Sequence, residues 1–398
     1  MAELATVTTL DDGAFVRAAI DMIPTLKARI PLTRELRRVP DETIAELRAA
    51  GFFDLLKPRA WGGHEADPRT LYAVQANLGR GCPSTAWVMS VLAVHAWQLA
   101  LFPEAAHHDV WGNDPDALIA SSYAPTGRIE PVEGGFRVSG RWSFSSGCDH
   151  CSWIFLGGMV PPATPDGAPQ MRTFLLPRAD WRIEDNWHVT GLVGSGSKDI
   201  VVDGAFVPEH RTHKFIDGFT GRNPGRAVFD APLFRLPFGQ VFVRSVSSTI
   251  LGVLEGALDA YTSVARQRVA ASSGAKVAGE AVAQAACADA AATLDECKAV
   301  LDRAFAEMMD YARRDQPIPL ERRAQFRYES SRAVQRCCDA VDGLFTTAGG
   351  RAIFDGSEIL RFFQDAHAIR AHFANKPEKP GLNFGGVMLG LDNTDLFL

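Results

Sequence analysis

The hydrophobic period changes twice along this chain, and that double change limits the folds open to it. The first stretch is helical. Pro40-Asp-Glu-Thr-Ile-Ala-Glu-Leu-Arg-Ala-Ala-Gly51 opens on a proline and acids suited to a helix N-terminus and stops at glycine. Further helices are predicted over residues 70 to about 79 and about 84 to 102, the second of them apolar and carrying Trp87 and His95. From about 118 to 211 the pattern becomes short β-like runs broken by Gly and Pro: Leu118-Ile-Ala-Ser-Ser, Gly135-Phe-Arg-Val-Ser, Trp153-Ile-Phe-Leu-Gly, Met171-Arg-Thr-Phe-Leu-Leu and Asp199-Ile-Val-Val-Asp-Gly-Ala-Phe-Val. Glu133-Gly-Gly-Phe136 reads as a hairpin turn.

After a Gly- and Pro-containing loop at 216–232, a period of three and four residues returns. Cys287, Ala290, Leu294, Cys297, Leu301, Phe305 and Met308 form one stripe, and Leu320, Ala324, Tyr328, Ser331, Val334, Cys338, Val341 and Phe345 another. With 250–265 before them and 359–373 after, four bundle helices are expected. The expected fold is therefore α+β: an N-terminal helical domain at 1–117, a central β barrel or sandwich at 118–215 and a C-terminal four-helix bundle at 216–398.

Composition narrows the function classes. With 46% hydrophobic and 22% charged residues over 398 positions, the chain can bury a substantial core. A formal charge of -6 and scattered Lys and Arg offer no basic stripe, so nucleic acid is not an expected partner. No apolar run is read as approaching a membrane span, the start MAELATVTTLDDGAF lacks a secretory pattern, and a cytoplasmic location is expected. Seven dispersed cysteines read as reduced thiols. Cys148-Asp-His-Cys151 is half of a zinc motif without a second ligand pair at suitable spacing, so no metal is expected.

Four segments carry a family resemblance. Gly51-Phe-Phe-Asp-Leu-Leu-Lys-Pro-Arg-Ala-Trp-Gly-Gly63 resembles the early signature of the acyl-CoA dehydrogenase superfamily, as does the order of the three regions. Ser121-Ser-Tyr-Ala-Pro, Gly140-Arg-Trp-Ser-Phe-Ser-Ser-Gly-Cys-Asp-His150 and Phe363-Gln-Asp-Ala-His-Ala-Ile-Arg-Ala-His372 are similar to its branch of two-component flavin-dependent monooxygenases, which includes 4-hydroxyphenylacetate and phenolic-steroid hydroxylases. The dehydrogenases use a glutamate base near this last segment, yet no Glu lies between Ile359 and Lys376; Asp365 is the nearest carboxylate there and Glu255 the alternative elsewhere. An acyl-CoA dehydrogenase-type flavin oxidoreductase is the alternative reading.

The resemblance implies reduced FAD or FMN and O2 as cofactors, a C4a-hydroperoxyflavin as oxidant and an aromatic substrate, phenolic or indolic. Ser146 would bond the flavin N5, Trp142 and Phe144 would wall the ring, and Trp87, Ser122 and Ser145 would complete the cofactor site. For the serines the competing reading is a hairpin end capping its own backbone. His372 is the first candidate for the group that takes or shares the substrate proton, with His95 and Ser121 as further catalytic members. A core role competes for His95, and a strand-end role for Ser121. His367, five residues from His372 and about 140° round the helix, is read as structural. Gly349 and Gly350 would approach flavin phosphates from a neighbouring subunit, or end a helix. Without a GxGxxG or P-loop for NAD(P)H, the implied partner is a separate NAD(P)H:flavin reductase, and the implied assembly a homotetramer. The substrate pocket is expected between the helix at 87–95, the loop at 216–232 and the last helix.

Overall fold

A computed structural model of the chain describes residues 12–162, 164, 166–269, 274, 276–395 and 397–398. The first eleven residues, read above for a targeting signal, lie outside the described residues. Six helices come first: α1 (Asp12–Ala28), α2 (Ile30–Leu36), α3 (Asp41–Ala49), α4 (Pro68–Gly81), α5 (Pro83–Leu99) and α6 (Glu104–Trp111). Helix α3 ends where expected, and Gly51 leaves it at φ +73°. Helix α5 is apolar all round because it is buried all round, including Trp87 to His95, and it forms the wall between helices and sheet.

Seven strands follow: β1 (Ile119–Val132), β2 (Gly135–Ser145), β3 (Trp153–Val160), β4 (Gln170–Pro177), β5 (Arg182–Glu184), β6 (Lys198–Pro208) and β7 (Thr212–Lys214). They pair in the order β5-β6-β2-β1-β3-β4-β7. This is one open mixed sheet rather than the closed barrel offered as one expectation. The cause lies in β1. Its first part runs parallel to β3, its last part antiparallel to β2, and the register shifts between Ser122 and Gly127. The strand thus joins two half-sheets at a bend. The hairpin turn at Glu133 and Gly134 is present, with Gly134 at φ +77°.

The remaining helices are α7 (Phe215–Thr220), α8 (Phe238–Ser247), α9 (Thr249–Gln267), α10 (Ala281–Arg313), α11 (Leu320–Ala348), α12 (Glu358–Ala371) and α13 (Glu378–Met388). Helices α9 to α12 are the four expected, and their apolar stripes at Ala290, Leu301, Phe305, Val334, Cys338 and Val341 form the bundle core. The expectation that no run reaches membrane-spanning length needs correction. The continuous stretch Phe238–Gln267 is long and apolar enough by composition, but 89% of its apolar window is buried inside the protein, as in a core helix. All seven cysteines are free thiols; Cys148 and Cys151 point at the backbone carbonyls of Gly196 and Gly147.

Candidate active site

A cavity of about 690 Å³ opens where α5, β1, the end of β2, α8 and the end of α12 meet. Its polar lining is a set of serines, Ser121, Ser122, Ser143, Ser146, Ser195 and Ser197, with Tyr123 and His372. Its apolar lining includes Trp87, Val91, Phe144, Trp187, Phe242 and Phe397. No Asp, Glu, Lys or Arg lines it, among the described residues. The expected boundary was partly wrong: α5 and the last bundle helix contribute, but the loop at 216–232 does not, and α8 with the segment 187–197 takes its place.

Helix α5 presents Trp87 and Val91 to the cavity. Trp87 Nε1 donates to Ser146 Oγ at 3.0 Å, and Ser146 Oγ meets Ser197 Oγ at 2.8 Å, which in turn meets Ser195 Oγ at 2.7 Å. The Ser122 hydroxyl donates to the Ser143 carbonyl at 2.7 Å, tying β1 to the end of β2. Ser121 lies beside Tyr123 in the lining, and the Tyr123 hydroxyl donates to Gln98 Oε1.

His372 lies just past α12 and lines the cavity, its ring edge-on to Trp87 at 5.6 Å. Burial, helped by the Arg327 charge, pulls its pKa down to about 4, so the ring is neutral at pH 7. The Ala374 N–H donates to its Nδ1 at 3.2 Å, so the neutral ring carries its proton on Nε2.

Several expected members are elsewhere. His95 lies eight residues beyond Trp87, about 12 Å further along the axis and about 80° round it. It is fully buried, off the cavity lining, with Nδ1 on the Ile119 carbonyl at 2.6 Å and Nε2 without a partner in the described structure. Burial brings its pKa to about 4 as well. The structure thus places His95 in the core rather than on the cavity lining. Trp142 is also core: fully buried, it fills the space beside Gly127 and Gly140 and donates to the Gly157 carbonyl at 2.9 Å.

Strand alternation would place Phe144 beside Trp142, but the register shifts between Trp142 and Ser145, and Phe144 adopts φ +66°. Phe144 is therefore turned out to the cavity mouth against Trp187, 72% exposed, while Ser145 is turned into the interior. Ser145 is not a cavity residue. Gly349, at φ +69°, and Gly350 do not line this cavity. The residues around them, Ala348, Arg351 and Ala352, line a second cavity of about 970 Å³ with Tyr261, Arg268 and Phe354. The two cavities share no residue.

The carboxylates that a dehydrogenase would use are engaged otherwise. Asp365 accepts from the Leu192 N–H at 2.6 Å, and burial raises its pKa to about 6. Glu255 pairs with Arg80 at 3.2 Å and Lys298 at 2.6 Å. His367 lies off the cavity lining, and its Nε2 meets Asp342 of α11 at 2.8 Å. Sequence reasoning missed Ser195, Ser197 and Trp187. Their signal, Gly194-Ser-Gly-Ser197, reads only as a loop.

Residues 22–111 match the family model described as acyl-CoA dehydrogenase, N-terminal domain, and 245–377 the one described as acyl-CoA dehydrogenase, C-terminal domain. The chain is 40% identical over 376 residues to the flavin-dependent monooxygenase, oxygenase subunit HsaA, of Rhodococcus jostii (strain RHA1), covering 94% of this chain and 98% of that one. The chain belongs to this family. Within these flavin-dependent oxygenase components it is also 38% identical to the FADH(2)-dependent resorcinol hydroxylase, oxygenase component, of Rhizobium sp. (strain MTP-10005), covering 90% of each. The crystal structure of 3-HSA hydroxylase from Rhodococcus sp. RHA1 superposes with a TM-score of 0.92 at 39% identity, covering 98% of this chain and all of that one. In this oxygenase family, the cavity's hydroxyls, aromatic walls and single histidine fit a flavin ring with a substrate beside it. Its volume is within the usual range for ligand sites.

Proposed function

We propose that the chain, as the oxygenase component of a two-component flavin-dependent monooxygenase, hydroxylates an uncharged phenol in the cavity lined by His372. The observation that carries this reading is the lining itself: a neutral histidine and hydroxyls, with no acid or base pair beside them. Reduced FAD or FMN held against Ser146 and Trp87 would supply the oxygen-transferring chemistry with O2. A carboxylate-bearing substrate would enter without a counter-ion and lose its hydration, which a cavity of this composition does not offset.

His372 acts through Nε2–H. It donates to the phenolic oxygen and stabilises the negative charge left there as the phenolic proton departs, which makes the ring electron-rich enough to attack the incoming oxygen, a role open to a neutral imidazole. Taking the proton at Nε2 would require the other tautomer and would cost the Ala374 bond. The Ser121 oxygen is the hydrogen-bond acceptor open to the phenolic O–H, because the neighbouring Tyr123 hydroxyl is committed to Gln98; it orients that proton without keeping it. The 216–398 region then serves both as a wall of this cavity and as a surface for assembly. Ile353, Phe354, Leu382, Leu389 and Leu391 are large apolar side chains exposed on a single copy, which supports a homotetramer. Arg268 and Arg351, beside Gly349 and Gly350, would meet the flavin phosphates of a neighbouring copy. A separate NAD(P)H:flavin reductase would supply the reduced flavin, and free thiols suit a cytoplasmic setting.

The test compares substrates with photoreduced flavin and O2. Uncharged alkylphenols should be hydroxylated with kcat/KM at least tenfold above 4-hydroxyphenylacetate. Preference for the acid, or bleaching of bound oxidised FAD by an acyl-CoA, would overturn the reading.

A further inference from the structure

The cavity's hydroxyl chain is anchored at one end by a bond of fixed direction and can run in either sense beyond it. The indole N–H of Trp87 can only donate, so one lone pair of Ser146 Oγ is always taken. That leaves Ser146 one proton and one lone pair to divide between Ser197, at 2.8 Å, and whatever occupies the cavity. Ser197 and Ser195 are both buried, and their own contact at 2.7 Å works with either as donor. The chain therefore runs in one of two senses. If Ser195 donates to Ser197 and Ser197 to Ser146, the Ser146 proton faces the cavity. If Ser146 donates to Ser197 and Ser197 to Ser195, its lone pair faces the cavity.

We propose that Ser197 is the positioning residue that makes the site select reduced over oxidised flavin, by accepting the Ser146 proton so that Ser146 Oγ can accept an N–H from the ring. This rests on the reading that the cavity takes flavin. Reduced flavin carries a proton on N5, whereas oxidised flavin has a lone pair there. Facing the reduced ring, Ser146 accepts from Trp87 and from N5–H, and its own proton needs an acceptor, which is Ser197. Facing the oxidised ring, Ser146 gives its proton to N5 and needs nothing from Ser197. Removing the Ser197 hydroxyl thus leaves a stranded donor only in the reduced complex. An unmade bond of that kind is the expensive case, whereas losing an optional one costs little. For an oxygenase that must capture reduced flavin from solution, this asymmetry favours loading the competent form and releasing the spent one.

The experiment measures affinity, not turnover. FMN and FAD, oxidised or photoreduced without oxygen, are titrated into the full chain, the Ser197→Ala variant and the Ser197→Thr variant. Ser197→Ala should lose about tenfold in affinity for reduced flavin and keep its affinity for oxidised flavin within about twofold. By linkage, the two-electron potential of the bound flavin should fall by about 30 mV. Ser197→Thr, which keeps the hydroxyl, should restore both. Equal losses for the two redox forms, or an unchanged potential, would overturn the proposal. A wild-type chain that binds neither form would instead remove the flavin reading itself.

Discussion

At the scale of single residues, the two nitrogens of the His372 imidazole have different surroundings. Nδ1 of His372 is held by the Ala374 N–H, and Nε2 is left as a donor toward the cavity. His372→Ala is expected to lower aromatic oxygenation by about a hundredfold or more while reduced-flavin affinity changes less than threefold. Equal losses would make His372 an organiser of the flavin pocket instead. Because its pKa is about 4, kcat/KM should show no inflection from this group between pH 6 and 8. An inflection near 6.5 that vanishes in the variant would contradict the neutral-donor role. That His372, Ser146, Ser121 and Trp87 belong to one site was legible in the sequence because their motifs are local, and all four line the cavity. That Trp142, Ser145 and His95 lie off its lining was not legible. A one-residue register shift after Trp142 and a left-handed Phe144 reverse the facing of Phe144 and Ser145, and no periodicity argument anticipates either.

At the scale of elements, α12 lines the cavity directly through Ala368 and Ala371, delivers His372 just past its end, and acts indirectly through Asp365. Asp365 accepts from the N–H of Leu192, a non-glycine residue held at φ +50°, just before the segment that carries Ser195 and Ser197. Asp365→Leu would strand that buried N–H at a cost of about 1–3 kcal/mol. Asp365→Asn keeps an acceptor and should cost much less. Urea unfolding of the two variants checks this, and equal losses would show that the Leu192 bond is not what Asp365 contributes. Helices α3 to α5 and α9 to α12 and five of the strands were legible from period and end signals, whereas α1, seventeen residues long, was not anticipated. Strands β5 and β7, three residues each, are too short to display a period and are edges whose place is set by β6 and β4.

At the scale of the molecule, three histidines away from the cavity couple stability to pH. Burial lowers the pKa of His95, His107 and His213 to about 4 each, against about 6.5 in an unfolded chain. Below pH 6.5 the unfolded state binds protons that the folded state does not. Stability is therefore retained above pH 6.5 and lost as pH falls toward 4, by about 1.4 kcal/mol per pH unit for each histidine. Asp365 works in the opposite sense, since its raised pKa of about 6 lets the fold take up one proton first. Denaturant unfolding at pH 7 and pH 5 should show a clear net loss at pH 5; equal or greater stability there would mean these rings are hydrated. The central claim is that this fold, whose family models carry dehydrogenase names, is used here to place oxygen on an aromatic ring. Its most direct test is mass analysis of the product formed from an uncharged phenol by the purified chain, photoreduced flavin and isotopically labelled dioxygen. The account predicts one labelled oxygen atom in the hydroxylated product, and a product whose new oxygen comes from water would contradict it.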